Sequence, residues 1–125
     1  MKISRDSPDG RNAFTGYGDG WVEVNGQRHA SSLVVSADRL DASWPAPSLE
    51  SLTAAHFEAI ARMAPEIVLL GTGRTFRFPD PQVLAPLHAA RIGIEVMDTQ
   101  AACRTYDILL GEGRNVVAAL ILSPP

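Results

Sequence analysis

The run IVLLGTG at residues 67–73 is the most informative part of the sequence, because the chain after it repeats a strand-then-helix order. A helix-like stretch follows, then a second strand-like run that ends in MDT at residues 97–99. Another helix-like stretch leads to the apolar run VVAALIL at residues 116–122. Strands that alternate with helices indicate a layered α/β sheet with right-handed crossovers. The last run has no polar alternation, so we predict that it is a buried central strand.

The first half of the chain carries antiparallel signals. Residues 21–24 (WVEV) alternate apolar and polar side chains, as a half-buried strand does. Asn25-Gly26 suits a two-residue hairpin turn, and residues 27–29 would form the returning strand. A further strand is predicted over residues 32–36. The hairpin adds antiparallel character, so the predicted sheet is mixed.

Three helices are predicted between the strands of the second half. Thr53 suits the N-cap of the first. The second starts at Pro81, and Gly93 suits its left-handed C-terminal cap. The third covers residues 100–110, with Thr99 as its N-cap. The predicted core is apolar and consists of Val68, Leu69, Leu70, Ile94, Val96, Val117, Ala119, Leu120 and Ile121.

Length and composition narrow the class of protein. The 125 residues are enough for one domain, predicted over residues 14–123 after a flexible arm at residues 1–13. A net charge of −3 argues against nucleic acid as a partner, since phosphate backbones need a basic surface. The longest apolar run is far shorter than the roughly 20 residues of a membrane helix, so no membrane insertion is expected. A single cysteine and a polar N-terminus favour a cytoplasmic protein.

One candidate cleft lies at the carboxyl ends of two predicted parallel strands, where open α/β sheets bind ligands. Gly71, Thr72, Gly73 and Arg74 follow the first strand, and Asp98-Thr99 follows the second. Backbone amides, the N-terminus of the last helix and the Arg74 guanidinium would together favour a negatively charged group. The simpler interpretation is a tight glycine turn beside a helix cap.

Other candidate residues give weaker signals. Cys103 falls on the apolar stripe of the last helix, which favours a packing role over a nucleophile. The three histidines lie on separate elements without metal-ligand spacing, so no metal site is predicted. Arg104 and Asp107 fall on the polar face of the last helix, which is either solvated or a partner surface. No catalytic constellation is visible, and no catalytic residue or cofactor is predicted.

Four motifs in the second half resemble the Mth938-like domain family. They are LGTG (70–73), EVMDT (95–99), AACRTY (101–106) and EGR (112–114). That family includes a mitochondrial complex I assembly factor and small bacterial proteins of unknown function. The resemblance implies a three-layer α/β fold with a central mixed five-stranded sheet, and it implies no established enzyme activity. Asp107 departs from the family pattern, in which asparagine typically stands at this position.

Two hypotheses for function follow. The first is a non-enzymatic protein-interaction or assembly factor, whose protein partner would contact the candidate cleft together with Arg104 and Asp107. The alternative is a binding domain or enzyme that acts on a small anionic ligand at the same cleft. Concavity separates them, because ligand sites are concave and partly apolar.

Overall fold

A computed structural model describes residues 10–122 of the chain. The N-terminal half is β structure, and helices alternate with strands after residue 53. The strands are β1 (Phe14–Gly18), β2 (Trp21–Val24), β3 (Gln27–His29), β4 (Leu33–Val35), β5 (Leu40–Asp41), β6 (Ile67–Gly71), β7 (Gly93–Met97) and β8 (Val116–Leu120). The helices are α1 (Ala54–Ala61), α2 (Ala85–Ala89) and α3 (Thr99–Gly111), and short 3-10 turns cover Leu49–Ser51 and Pro81–Leu84.

The main sheet has five strands in the order β5-β4-β8-β6-β7. Strand β6 is parallel to both β7 and β8, with Val68 opposite Ile94 and Val117. Strand β4 runs antiparallel to β8 and to β5. The sheet is therefore mixed, and β8 lies at its centre, fully buried from Val116 to Leu120. Both predictions are confirmed.

The hairpin around Asn25-Gly26 forms as predicted, and both residues have positive φ, 48° and 84°. It does not join the main sheet, however. Strands β1, β2 and β3 form a separate three-stranded antiparallel sheet. The antiparallel character of the main sheet comes instead from β4 and β5, so the predicted source of the mixed sheet was wrong.

Two apolar clusters cover the two faces of the main sheet. One packs α1, α2 and the residues around Trp44 against side chains such as Val68 and Leu70. The other packs α3 and the hairpin sheet against the opposite face, with Leu69 and Leu120 at its centre. This is the predicted three-layer arrangement. Ile94 and Val96 are only half-buried, because β7 is the last strand of the described sheet.

The C-terminal end of α2 differs from prediction. Arg91, not Gly93, takes the left-handed conformation after α2, with φ 57°. The amide of Ile92 donates to the carbonyl of Leu87 at 2.9 Å. This bond ends the helix in a Schellman-type turn, in which Arg91 directly follows the C-cap residue Ala90. Gly93 is already in β7. The end of α3 does use glycine, because Gly113 has φ 78°.

The predicted flexible arm at residues 1–13 stays a prediction, since residues 1–9 lie outside the described part of the chain. Asn12, inside the predicted arm, is bonded to the body: its amide donates to the Ala37 carbonyl at 2.8 Å, and its carbonyl accepts from the Tyr106 hydroxyl at 2.8 Å. The boundaries of the domain predicted over residues 14–123 likewise stay a prediction.

Candidate functional site

The loops after β6 and β7 meet at one edge of the sheet. The amide of Thr72 donates to the carbonyl of Met97, and the amide of Thr99 donates to the carbonyl of Gly73, both at 2.9 Å. The amide of Gly73 donates in return to Oγ1 of Thr99 at 2.8 Å. The structure therefore brings together the two halves of the predicted cleft, but it joins them directly to each other.

Thr99 was predicted to be the N-cap of the last helix, and this is wrong. Asp98 is the N-cap, since its Oδ1 accepts from the amide of Ala101 at 2.9 Å. Thr99 is the first helical residue and is buried. Its hydroxyl donates to the carbonyl of Ile121 at 2.8 Å while it accepts from Gly73. One side chain thus ties together the ends of three adjacent segments.

The two glycines of the loop serve different purposes. Gly73 has φ 102°, a conformation that side chains disfavour. Gly71 is instead limited by space, because an added Cβ would lie 2.8 Å from Cδ2 of Leu120 and 2.9 Å from Cα of Thr99. The sequence pattern that suggested a ligand loop is therefore explained by a turn and by a close backbone approach.

Side-chain bonds hold the loop that follows. Oγ1 of Thr72 donates to the carbonyl of Thr75 at 2.6 Å and accepts from the amide of Arg77 at 3.2 Å. Arg77 also pairs with Glu50 on the neighbouring 3-10 turn. The hydroxyl of Thr72 is therefore hydrogen-bonded within the loop, where the residue is buried.

The candidate cleft is small. Gly18, Gly73, Arg74, Thr99 and Ile121 are among its lining residues, and its volume is about 30 Å³. That is room for a water molecule or two. The Gly73 amide is already bonded to Thr99. These features do not favour a small-molecule site inside the cleft.

Arg74 lies at the mouth of the cleft and is already paired. Its Nε lies 2.6 Å from Oδ1 of Asp19, and Nη2 donates to Oδ2 at 2.9 Å. Asp19 belongs to the β1–β2 turn, so the ion pair joins the hairpin sheet to the loop after β6. The charge that was predicted to attract an anion is balanced within the chain. Asp19 is 55 residues away in sequence, and no local pattern pointed to it.

Arg104 and Asp107 contact β1 on the same face of the protein. Nη1 of Arg104 donates to the hydroxyl of Tyr17 at 3.0 Å, and Oδ1 of Asp107 accepts from the amide of Phe14 at 2.9 Å. Both residues therefore fasten α3 to the hairpin sheet. A partner surface formed by these two side chains stays a prediction. Burial raises the pKa of the Asp107 carboxyl, and the bond from Phe14 opposes that shift.

We expect Asp107→Asn to stabilise the protein at pH 7. The raised pKa means that the folded state holds the Asp107 proton more tightly than the unfolded state, so ionisation above that pKa costs stability. An amide oxygen at position 107 can still accept from Phe14 without carrying a charge. Urea denaturation at pH 7 should show a higher midpoint for the variant.

The same comparison near the ordinary carboxyl pKa of 3.8 supplies the control. The cost of ionising Asp107 is lost as the pH falls through its raised pKa, so the advantage of the variant should shrink toward this pH. An equal or lower midpoint for Asp107→Asn at pH 7 would contradict the pKa assignment.

Cys103 is buried in the cluster beneath α3, as predicted. Burial, reinforced by the nearby charge of Asp107, raises the pKa of its thiol to about 12. A thiol with that pKa is protonated at neutral pH, and the protonated form is a poor nucleophile. The structure thus favours packing over chemistry at this residue.

Cys103→Ser should lower the free energy of unfolding by about 1–3 kcal/mol, because it places a hydroxyl in an apolar cluster. Cys103→Ala adds no polar group and should cost less. Chemical denaturation of both variants checks this, together with thiol labelling of the native protein, which should be slow. Rapid labelling with a fully stable serine variant would contradict a core role.

Sequence reasoning missed an exposed aromatic pair in the segment between β6 and the 3-10 turn at Pro81–Leu84. Phe76 is 52% exposed and Phe78 is 74% exposed, and their ring centroids lie 4.8 Å apart in an edge-on arrangement. The signal was present in the sequence, since two phenylalanines stand among polar residues in RTFRFP at 74–79.

Residues 10–122 contain neither a metal-binding cluster nor a helix that could span a membrane. Among residues 10–122, no group of three histidine, cysteine, aspartate or glutamate side chains could hold a metal ion. Within the same residues, no helix combines the length and apolar character needed to cross a bilayer.

The sequence profile of a family described as "Protein of unknown function (DUF498/DUF598)" matches residues 14–121. The chain is also similar to the Mus musculus NADH dehydrogenase (ubiquinone) 1 alpha subcomplex assembly factor 3. The two are 39% identical over 83 residues, which cover 65% of this chain and 45% of that protein. This chain therefore matches less than half the length of that assembly factor.

Solved structures agree with the fold. A crystal structure of a Bordetella parapertussis protein is 43% identical, with a TM-score of 0.84 over 90% of this chain and 96% of that one. A solution NMR structure of a Bordetella pertussis protein, described as a Mth938-like domain, is 35% identical. Its TM-score is 0.79, over 98% of this chain and 92% of that one. The predicted resemblance to the Mth938-like family is confirmed.

Proposed function

Because the chain belongs to the DUF498/DUF598 family, whose Mth938-like fold it shares, we propose that it is a non-enzymatic protein-interaction or assembly factor. The name of the similar mouse protein describes an assembly factor, and that name supports a role in which this domain contacts other proteins. The identity of the partner does not transfer, since the match covers 45% of the mouse protein.

The observation that carries the proposal is the exposed pair Phe76 and Phe78. Large aromatic side chains that stand in solvent typically mark a contact surface, and aromatic residues dominate the energetic centres of protein interfaces. Phe78 lines a groove of about 360 Å³ together with Leu49, Leu52 and Val83. We place the contact surface on this loop, with the ion-paired Arg77 and Glu50 at its polar rim.

The loop is held in place before any partner arrives. Thr72 closes it from within through Thr75 and Arg77, and Arg77 is anchored to Glu50. Asp80 caps the following 3-10 turn by accepting from the amide of Gln82 at 3.0 Å. A contact loop that is already ordered loses less conformational entropy on binding. This supports recognition of a partner by a preformed surface.

The predicted cleft has a supporting role in this proposal. Gly71, Gly73 and Thr99 join the loop to the sheet, and Asp98 caps the helix beside it. A volume of about 30 Å³ leaves little room for a metabolite, so the alternative of a small anionic ligand in this cleft has less support. A cytoplasmic location stays a prediction.

The test is photo-crosslinking from the proposed surface. Phe78 is replaced by benzoylphenylalanine and the protein is irradiated in an extract of its native cells. We expect one or a few discrete crosslinked proteins, and Phe76→Ser should reduce their yield at least fivefold. Serine at this exposed position should leave the stability nearly unchanged.

A matched control uses Ile108, which is 62% exposed on α3. Benzoylphenylalanine at position 108 should not capture the same proteins. If position 78 captured nothing, or if Phe76→Ser left the yield unchanged, the proposed surface would be wrong. A large thermal shift with a single metabolite would favour the ligand alternative instead.

A further inference from the structure

A second surface lies on the opposite side of the main sheet from the hairpin. It is a groove of about 500 Å³ between the end of α1 and the β4–β5 hairpin. We call it the α1–β5 groove. Its apolar lining comes from both walls and from the segment that follows β5, with the side chains Val34, Leu40, Trp44, Ile60 and Met63. It is more than ten times the volume of the cleft at Gly73.

Arginines line both walls of the α1–β5 groove. Arg39 stands beside β5 and Arg62 is the C-cap of α1, and both are exposed. Within residues 10–122 neither guanidinium has a hydrogen bond or an ion pair. This differs from Arg74, Arg77 and Arg114, each of which is paired with a carboxylate.

The local structure favours an arginine at position 62, but it does not neutralise the charges of Arg39 and Arg62. A cation near a helix C-terminus is favourable, which suits Arg62. Asp41 also lines the groove, and its Oδ1 accepts from the amide of Ser43 at 3.0 Å, so it is held in a turn. Among the residues that line the groove, two arginines outnumber one aspartate, on a chain whose net charge is −3.

The groove also borders an open sheet edge. Strand β5 is the outermost strand on this side, and on its far side no strand from residues 10–122 pairs with it. An edge strand offers backbone amides and carbonyls to an extended peptide, while pockets beside it select side chains. This edge favours a peptide over a compact small molecule.

We infer that the α1–β5 groove binds an extended acidic peptide segment of a protein partner. Its backbone would add to the edge of β5, its apolar side chains would contact Trp44 and Met63, and its carboxylates would pair with Arg39 and Arg62. The inference rests on the proposed function, since it supplies the chemistry of a partner at a second surface, separate from Phe76 and Phe78.

The test uses a defined probe, a blocked octapeptide of alternating glutamate and valine. It is titrated into the full chain labelled with ¹⁵N, and amide shifts are followed by NMR. We expect shifts that concentrate at residues 39–41 and 59–63. The double variant Arg39→Gln/Arg62→Gln should raise the dissociation constant at least tenfold. Added salt should weaken the wild-type complex, since screening reduces attraction between exposed charges.

Three comparisons make the result decisive. Arg91→Gln, the same substitution at an exposed arginine after α2, should leave binding unchanged. The matching lysine–valine peptide should not bind. Decanoate tests for a small amphipathic carboxylate. Absence of binding, equal binding of the lysine peptide, or tighter binding of decanoate at the same residues would each overturn the inference.

The remaining candidate for occupying the α1–β5 groove is a second copy of the chain. Shifts at residues 39–41 that grow with protein concentration alone would show self-association and would also overturn the inference. Photo-crosslinking from position 78 tests the proposed function independently of the groove. If that capture succeeds while the octapeptide fails, only the groove assignment falls.

Discussion

Thr99→Val should lower the free energy of unfolding by about 2–6 kcal/mol. Valine keeps the branched shape but removes the hydroxyl that accepts from Gly73 and donates to Ile121. Both backbone groups would then be buried without a partner, and each costs about 1–3 kcal/mol. Urea denaturation followed by circular dichroism measures the change.

Thr99→Ser is the matched control. It keeps the hydroxyl and loses one methyl group, so it should remain much closer to wild type than the valine variant. Valine and serine variants of equal stability would show that shape, not the two hydrogen bonds, is what position 99 supplies. The photo-crosslinking yield from position 78 should fall with Thr99→Val only to the extent that the protein unfolds.

Gly71→Ala should also be strongly destabilising, by about 1–3 kcal/mol or more. The new Cβ would lie 2.8 Å from Cδ2 of Leu120 and 2.9 Å from both Cα and Oγ1 of Thr99. The leucine end can move, but Cα of Thr99 is backbone and is fixed by its bonds to Gly73. Relief of the contact therefore requires the loops after β6 and β7 to separate.

Gly111→Ala controls for the loss of a glycine. At Gly111, in the last turn of α3, an added Cβ would have no heavy atom within 4 Å. Alanine there should stabilise the helix by about 0.5–1 kcal/mol, because glycine loses more conformational freedom on folding. A stable Gly71→Ala protein would mean that the two loops are not packed as tightly as described.

The parts of the fold that could be predicted from sequence are those with a local signal. The unbroken apolar run at residues 116–122 predicted the central strand, and Asn25-Gly26 predicted the hairpin turn. The glycine turn after β6 was located correctly as well. In each case, neighbouring residues alone limit the backbone, through burial on both faces or through positive φ.

The rest depended on contacts between distant residues. Asp19 pairs with Arg74 across 55 positions, and the Thr99 hydroxyl joins segments 26 and 22 positions away. A threonine hydroxyl can cap a helix or hydrogen-bond two distant segments, and the sequence does not distinguish these roles. Thr99 was therefore predicted to be a cap. The hairpin was wrongly assigned to the main sheet. Its alternating pattern shows that a strand is half-buried, but it does not show to which sheet the strand belongs.

The position of β8 has a consequence for how the protein is made. β4 and β6 are both complete long before β8, yet each pairs with β8 and not with the other. While the chain is being synthesised, the two parts of the main sheet therefore wait as unpaired edges until residues 116–120 emerge. Exposed edges of this kind invite aggregation during synthesis. The nascent chain is thus most vulnerable in the interval before its last described strand is made.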